Sequence, residues 1–162
     1  GQVLTELRAK ELIGGWDATS SCSTRPLDRL GSKACGVCGG CLLRIVSALS
    51  AGLTVVTDEF TFDVRGLDAK AIDRNGNIKD MSPNHRDVAV RAITVMEEFS
   101  RLLDSPQGAS TINREARVVD DLNPSEIEKS LADLLRQHRS EWASFKDSLP
   151  AKSWLLEIVG QL

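Results

Sequence analysis

Four cysteines within twenty residues constrain this chain more than any other feature of its sequence. They are Cys22, Cys35, Cys38 and Cys41, and residues 42–162 contain no other cysteine. Core packing would scatter cysteines over several buried faces, whereas a Cys-x-x-Cys-x-x-Cys run with intervening glycines lets the sulfur atoms converge on one point. The pattern therefore predicts a site with four thiolate ligands, and zinc is the metal that such a ligand set favours.

Two other interpretations of the cysteines stay open. Three closely spaced cysteines and a distant fourth also hold iron–sulfur clusters, and a Cys-x-x-Cys pair can act as a disulfide or redox couple. No secretory pattern is visible, so we expect a reducing cytoplasm, where clustered cysteines bind metal more often than they pair. We predict a structural zinc site, because four sulfur ligands leave no coordination position open for catalysis.

The composition argues against several classes of function. Twenty basic and twenty-three acidic side chains give a net charge of −3, without the basic excess of a nucleic-acid-binding chain. Three Trp, four Phe and no Tyr leave little surface for base stacking. No apolar run is close to the length of about 18 residues that a membrane-spanning helix needs. We therefore expect a globular, cytoplasmic protein that binds neither membrane nor nucleic acid directly.

The apolar periodicity predicts a mostly α-helical domain with a four-cysteine zinc knuckle and at most one short strand. Ser82 and Asn123 each precede a proline, which is typical of a helix N-cap. Alternating apolar and polar residues favour one short extended segment over 54–65. The polar residues 104–122 are expected to form a mobile loop. Helices are predicted over residues 3–13, from Cys41 to about Gly52, over 82–103, over about 123–149, and over 151–160.

No catalytic residue is predicted. The sequence contains neither a Walker-type lysine motif nor a GxGxxG fingerprint. His85 and His138 lie far from any nucleophile pattern and are expected to be structural or solvated. The acidic pairs 97–98 and 120–121 are expected to lie on solvated faces. Arg44, one turn after Cys41, is either an exposed or paired cation, or a group that faces a phosphate or a neighbouring subunit.

The cysteine region resembles the C-terminal zinc region of the 7-cyano-7-deazaguanine synthase family and of its relatives in bacterial antiviral defence gene clusters. The match covers roughly residues 3–65. The resemblance rests on Ser21-Cys22, Cys35-Gly36-Val37-Cys38, Cys41, Arg44 and Ala51-Gly52-Leu53.

The resemblance implies an ATP-pyrophosphatase (PP-loop) family of the queuosine-biosynthesis type, in which a Rossmann-like domain binds ATP at a Ser-Gly-Gly-x-Asp-Ser loop. It also implies that the zinc is structural and makes Arg44 a candidate cofactor-binding residue. This sequence contains no such loop, so we expect no ATP chemistry from it alone, and whether the full-length protein is an enzyme is left open. The resemblance divides the chain into a zinc-knuckle region, 1–65, and a helical extension, 66–162, like that of the defence-associated relatives.

The expected partner is the protein's own nucleotide-binding domain or another protein, and a homodimer is a further alternative because members of the family commonly dimerise. A stand-alone helical interaction module with structural zinc is the main competing hypothesis for function. An iron–sulfur redox protein is the second.

Overall fold

The fold is mostly helical, as predicted. The computed structural model describes residues 5–6, 22, 33–55, 60–72, 78–118 and 123–162. A 3-10 turn, Leu102–Asp104, extends the second helix. No helix in these ranges is both long enough and apolar enough to cross a membrane. The helices are α1 Gly39–Ser50, α2 Pro83–Arg101, α3 Gly108–Ala116, α4 Pro124–Asp147 and α5 Trp154–Val159.

The extended structure lies partly where it was expected and partly beyond it. Within the predicted segment 54–65, Phe60 forms an isolated parallel bridge with Ala34, and residues 56–59 lie outside the described ranges. Two three-residue strands follow it, β1 Lys70–Ile72 and β2 Ile78–Asp80, which pair antiparallel. A two-stranded hairpin of this size is too small to hold a fold together, so the helices determine the architecture.

The predicted helix signals are confirmed at both long helices. The Ser82 hydroxyl accepts a hydrogen bond from the His85 amide, and Pro83 begins α2. The Asn123 side chain accepts from the Ser125 amide at 3.1 Å at the start of α4. Each side chain satisfies an amide that has no partner inside the helix, and loss of such a cap typically costs about 1 kcal/mol.

The prediction of a loop over 104–122 is wrong where α3 forms, and residues 119–122 lie outside the described ranges. The sequence signal is weak because no side chain caps α3 and its apolar residues are few. Tertiary contact compensates for this, since α3 packs on α4 and Asn113 hydrogen-bonds Glu128. The predicted helix over 3–13 lies almost entirely outside the described residues, and only Thr5 and Glu6 are seen to be helical.

One hydrophobic core joins the cysteine region to the helices. Helix α4 crosses both α1 and α2, and α5 packs against α2. Trp154 on α5 also reaches back to the segment after the knuckle, where its Nε1 donates to the Asp63 carbonyl at 3.4 Å. The core therefore takes side chains from both sides of residue 65, while the division into two regions there stays a prediction. Its members include Val37, Leu42, Val46, Phe62, Val64, Ile93, Trp142, Phe145 and Leu155.

The prediction that residues 97–98 lie on a solvated face is wrong for Glu97, whose side chain is only 7% exposed. Its carboxylate accepts from Trp142 Nε1 and Lys146 Nζ, both at 2.8 Å, and pairs with Arg101 at 2.8 Å. Burial by itself would raise the pKa of Glu97, but hydrogen bonds from Lys146 and Trp142, with the Lys146 charge, lower it below its ordinary value. The carboxylate therefore stays ionised where it links α2 to α4.

Candidate metal centre

The start of α1 positions three of the four cysteines. Cys38 is the N-cap residue of α1, with extended backbone angles and no side-chain cap bond, and Cys41 lies in the first helical turn. Cys35 precedes them on a turn held by the neighbouring segment, whose Phe62 amide donates to the Cys35 carbonyl at 3.1 Å. All three are buried, whereas Cys22 reaches the group from earlier in the chain and is half-buried.

The four sulfur atoms converge as the sequence pattern predicts. The Sγ atoms of Cys22, Cys35, Cys38 and Cys41 all lie within 4.8 Å of one another, and those of Cys35 and Cys41 are 3.9 Å apart. Sulfurs bound at about 2.3 Å around one tetrahedral ion lie about 3.8 Å from each other. A disulfide brings its sulfurs to about 2.05 Å, and all four cysteines are free thiols. The spacing fits a single ion.

Backbone amides point at two of the sulfurs. The Cys35 amide donates to Cys22 Sγ and the Cys38 amide donates to Cys35 Sγ, each at 3.3 Å. Hydrogen bonds to a thiolate favour its charged form, and the N-terminus of α1 contributes a partial positive charge at Cys38. The backbone around the cluster is thus arranged for sulfur atoms that carry negative charge.

The Cys41 thiol resists ionisation as long as the cluster surrounds no cation. Hydrogen bonds with the Cys35 and Cys38 thiols, and then burial, raise the pKa of the Cys41 thiol far above its usual range. A divalent ion at the centre reverses this preference, because coordination to a metal deprotonates a thiol outright. Metal uptake by these four residues would therefore release protons.

Gly36 shapes the turn between the first two clustered cysteines. Its φ of +82° lies in the left-handed region, and a Cβ there would stand 2.1 Å from the Phe62 carbonyl oxygen. Both features require glycine, because an L side chain would be strained in that conformation and would collide with backbone. The close approach is what lets Phe60 and Phe62 cover the knuckle.

Gly36→Ala is expected to destabilise the protein by at least about 2 kcal/mol, since it combines a left-handed backbone with a steric clash. Urea unfolding followed by circular dichroism measures the loss. Gly39→Ala is the matched control, because a Cβ at Gly39 meets no atom within 4 Å and alanine favours the helix that begins there. Equal unfolding midpoints for the two variants would contradict this account of the turn.

Neither histidine belongs to the group of sulfur atoms. Arg44 is half-buried one turn beyond Cys41 and makes an interaction within the chain. The His85 ring contacts the Phe62 ring at a tilt, with 5.1 Å between ring centres, and its Nδ1 lies 2.8 Å from the Ser82 hydroxyl. His138 Nε2 donates to the Met96 carbonyl at 3.0 Å. Both histidines have structural contacts here, in keeping with their predicted roles.

Comparison with known proteins adds no relative. No family model, no curated protein and no solved structure matches this chain. What can be said of its function therefore comes from the residues and their geometry.

Proposed function

We propose that Cys22, Cys35, Cys38 and Cys41 hold one structural zinc ion, which ties Cys22 and the Cys35–Cys41 turn to the start of α1. The convergence of four sulfur atoms within 4.8 Å carries the proposal. All four ligands come from protein, so the coordination sphere is closed and no position is left for a reacting water or substrate. The ion supplies cross-linking and charge neutralisation, and the chain supplies the amides and the buried setting.

The spacing favours a single ion over an iron–sulfur cluster. A cluster places several iron and sulfide atoms between its cysteines, and so holds their sulfurs farther apart than one ion does. Here the Cys35 and Cys41 sulfurs are separated by 3.9 Å, close to the tetrahedral value of about 3.8 Å for zinc. Softer monovalent ions would also accept thiolates, which is why metal analysis is the decisive measurement.

We further propose that this zinc-bearing helical region serves a 7-cyano-7-deazaguanine synthase-like protein, in which a separate nucleotide-binding half binds ATP. The support is the motif from Ser21-Cys22 to Arg44 together with the cysteine cluster that its residues form. In that setting the zinc maintains a surface for the nucleotide-binding half or for a partner protein, and this chain contributes no ATP chemistry. A stand-alone interaction module would use the same zinc in the same structural way.

Metal analysis of the purified chain tests the first proposal. We expect one zinc per chain, a colourless protein, and four thiols that react with a thiol reagent only after a chelator has removed the metal. A brown protein with bound iron, or four thiols that react at once in a metal-free folded chain, would contradict it.

The reading frame upstream of Gly1 tests the synthase assignment separately. A Ser-Gly-Gly-x-Asp-Ser loop encoded in that frame would support it. A frame that starts at this region would favour the interaction module and leave the zinc proposal untouched.

A further inference from the structure

An apolar groove adjoins the cysteine cluster on the outer face of α1 and α2. It has a volume of about 380 Å³, and the Cys38 and Gly39 backbone at the start of α1 forms part of its wall. Its lining also includes Val88, Val95 and Phe99 of α2, Leu43 of α1 and His138 of α4. The groove shares Cys38 with the candidate metal site, and its other lining residues lie outside that group.

The groove exposes large apolar side chains to solvent. Leu43 is 50% exposed, Val95 45% and Phe99 48%. The described residues include eight exposed large hydrophobic side chains, and three of them meet in this one groove. Clustered exposure of this kind marks an interaction surface, whereas single exposed apolar residues need no explanation.

The side chains that line the groove favour a partner that carries negative charge. Arg91 lines it, and no aspartate or glutamate does. Arg91 is exposed and makes no ion pair with any residue in the described ranges. Helix α1 contains no acidic residue. A partner with a carboxylate beside its apolar side chains would be complementary, and a partner with a lysine there would be repelled.

The dimensions of the groove suit a helix. The α2 residues in the lining extend from Val88 to Phe99, twelve residues that span about 16 Å or three helical turns. A partner helix of three turns presents apolar side chains at i, i+4 and i+7 to such a groove, as amphipathic helices do in other groove-binding complexes.

We infer that this groove docks an amphipathic helix of another protein, which places two or three large apolar side chains over Val95 and Phe99 and a carboxylate against Arg91. The inference deepens the proposed function and rests on it in one respect. Zinc bound by Cys38 and Cys41 would hold the start of α1, and with it one wall of the groove, in place.

A displayed library of fourteen-residue amphipathic helices, selected for binding to the zinc-loaded chain, tests the inference. We expect the selected helices to carry an acidic residue beside their apolar anchors. Val95→Asp is expected to weaken their binding at least tenfold in fluorescence anisotropy, while Val118→Asp leaves it unchanged. Val118 is the matched control because it is also exposed, at 71%, and lies outside the groove. If Val95→Asp does not fold, Leu43→Ser, on the α1 part of the groove, provides the same test.

A charge exchange tests the role of Arg91. Arg91→Glu should weaken binding of the acidic helices several-fold. A glutamate-to-lysine change in the helix should restore binding to that variant. Arg86→Glu, at an exposed position of the same helix outside the groove, is expected to have no such effect. Selected helices that keep their affinity for Val95→Asp, or that show no preference for a carboxylate, would overturn the inference.

Three further outcomes test which molecule fills the groove and whether the groove and the metal site are independent. A wild-type dimer in sedimentation that Val95→Asp dissolves would show that a second copy fills the groove, and would overturn the partner helix. A chain that binds the selected helices through the groove but contains no metal would refute the zinc proposal and leave the groove. A zinc-loaded chain whose groove binds no helix would refute the groove alone.

Discussion

Replacing Cys41 with serine is expected to remove the bound metal and to lower the free energy of unfolding by more than about 4 kcal/mol. Cys41 is 1% exposed and provides the ligand that belongs to α1 itself. A hydroxyl there is a poor zinc ligand, and the three remaining cysteines would lose the ion that cross-links them. Structural zinc supplies about 10–16 kcal/mol to zinc-finger peptides. The loss should be smaller here, because the helical core contributes independently.

Denaturant unfolding with and without a chelator measures this effect. The chelator should bring the wild-type protein close to the stability of Cys41→Ser and should change the variant little, since the variant has already lost its metal. Ser47→Ala, on the same helix and half-buried, is the control that retains both metal and chelator sensitivity. A wild-type unfolding midpoint that ignores the chelator would refute a metal-stabilised knuckle.

Glu97→Gln is expected to cost about 3 kcal/mol, near the lower end of the range for breaking a buried ion pair. The substitution keeps the shape of the side chain but removes the charge that neutralises Lys146. The Lys146 side chain is 22% exposed, so it can turn partly toward water, which limits the penalty. Glu98→Gln is the matched control on the adjacent, exposed residue and should change stability by less than about 0.5 kcal/mol. Similar losses for the two variants would show that burial of Glu97 contributes nothing.

The pH dependence of stability, compared between the wild-type protein and Glu97→Gln, tests the same ion pair independently. The pKa of Glu97 is lowered from its ordinary value of 4.5, so folding favours the ionised form. The stabilisation is fully present above that value and is lost as the pH falls through the lower pKa of the folded state. The stability difference between wild type and Glu97→Gln should therefore be constant above about pH 5 and shrink in more acidic solution. A difference that grows on acidification would mean that the carboxyl is protonated in the folded protein.

The sequence was sufficient for the elements whose signals are local. Caps at Ser82 and Asn123 predicted where two helices begin, because each side chain satisfies an amide only a few residues away. Helix α3 was missed because its stability comes from α4, which no pattern within residues 108–116 reveals. The prediction of a solvated position for Glu97 was wrong for the same reason. Its three cationic or N–H partners lie four, 45 and 49 residues further along the chain, and an adjacent pair of glutamates is ordinarily solvated.

The candidate site was predictable as a set of residues but not as a geometry. Close spacing and intervening glycines were enough to group Cys35, Cys38 and Cys41 around one point. The dependence of that turn on Phe62 was hidden, because the contact that requires Gly36 to be glycine comes from a segment about 25 residues later. The groove beside the site was also hidden. Apolar spacing along α2 predicts a buried face, and only the packed structure shows that α1 and α4 leave part of that face open.

The hydrophobic core combines residues that the ribosome makes early with residues that it makes late. A chain made from its N-terminus completes the four cysteines by residue 41, whereas the bond between Asp63 and Trp154 joins residues 91 positions apart. Local contacts close early, and contacts of such separation close late. On the ribosome the four cysteines are therefore made well before the helix that packs on the segment after them. During that interval Phe62 and Val64, which are buried in the finished protein, lack the part of their packing that comes from the later helices.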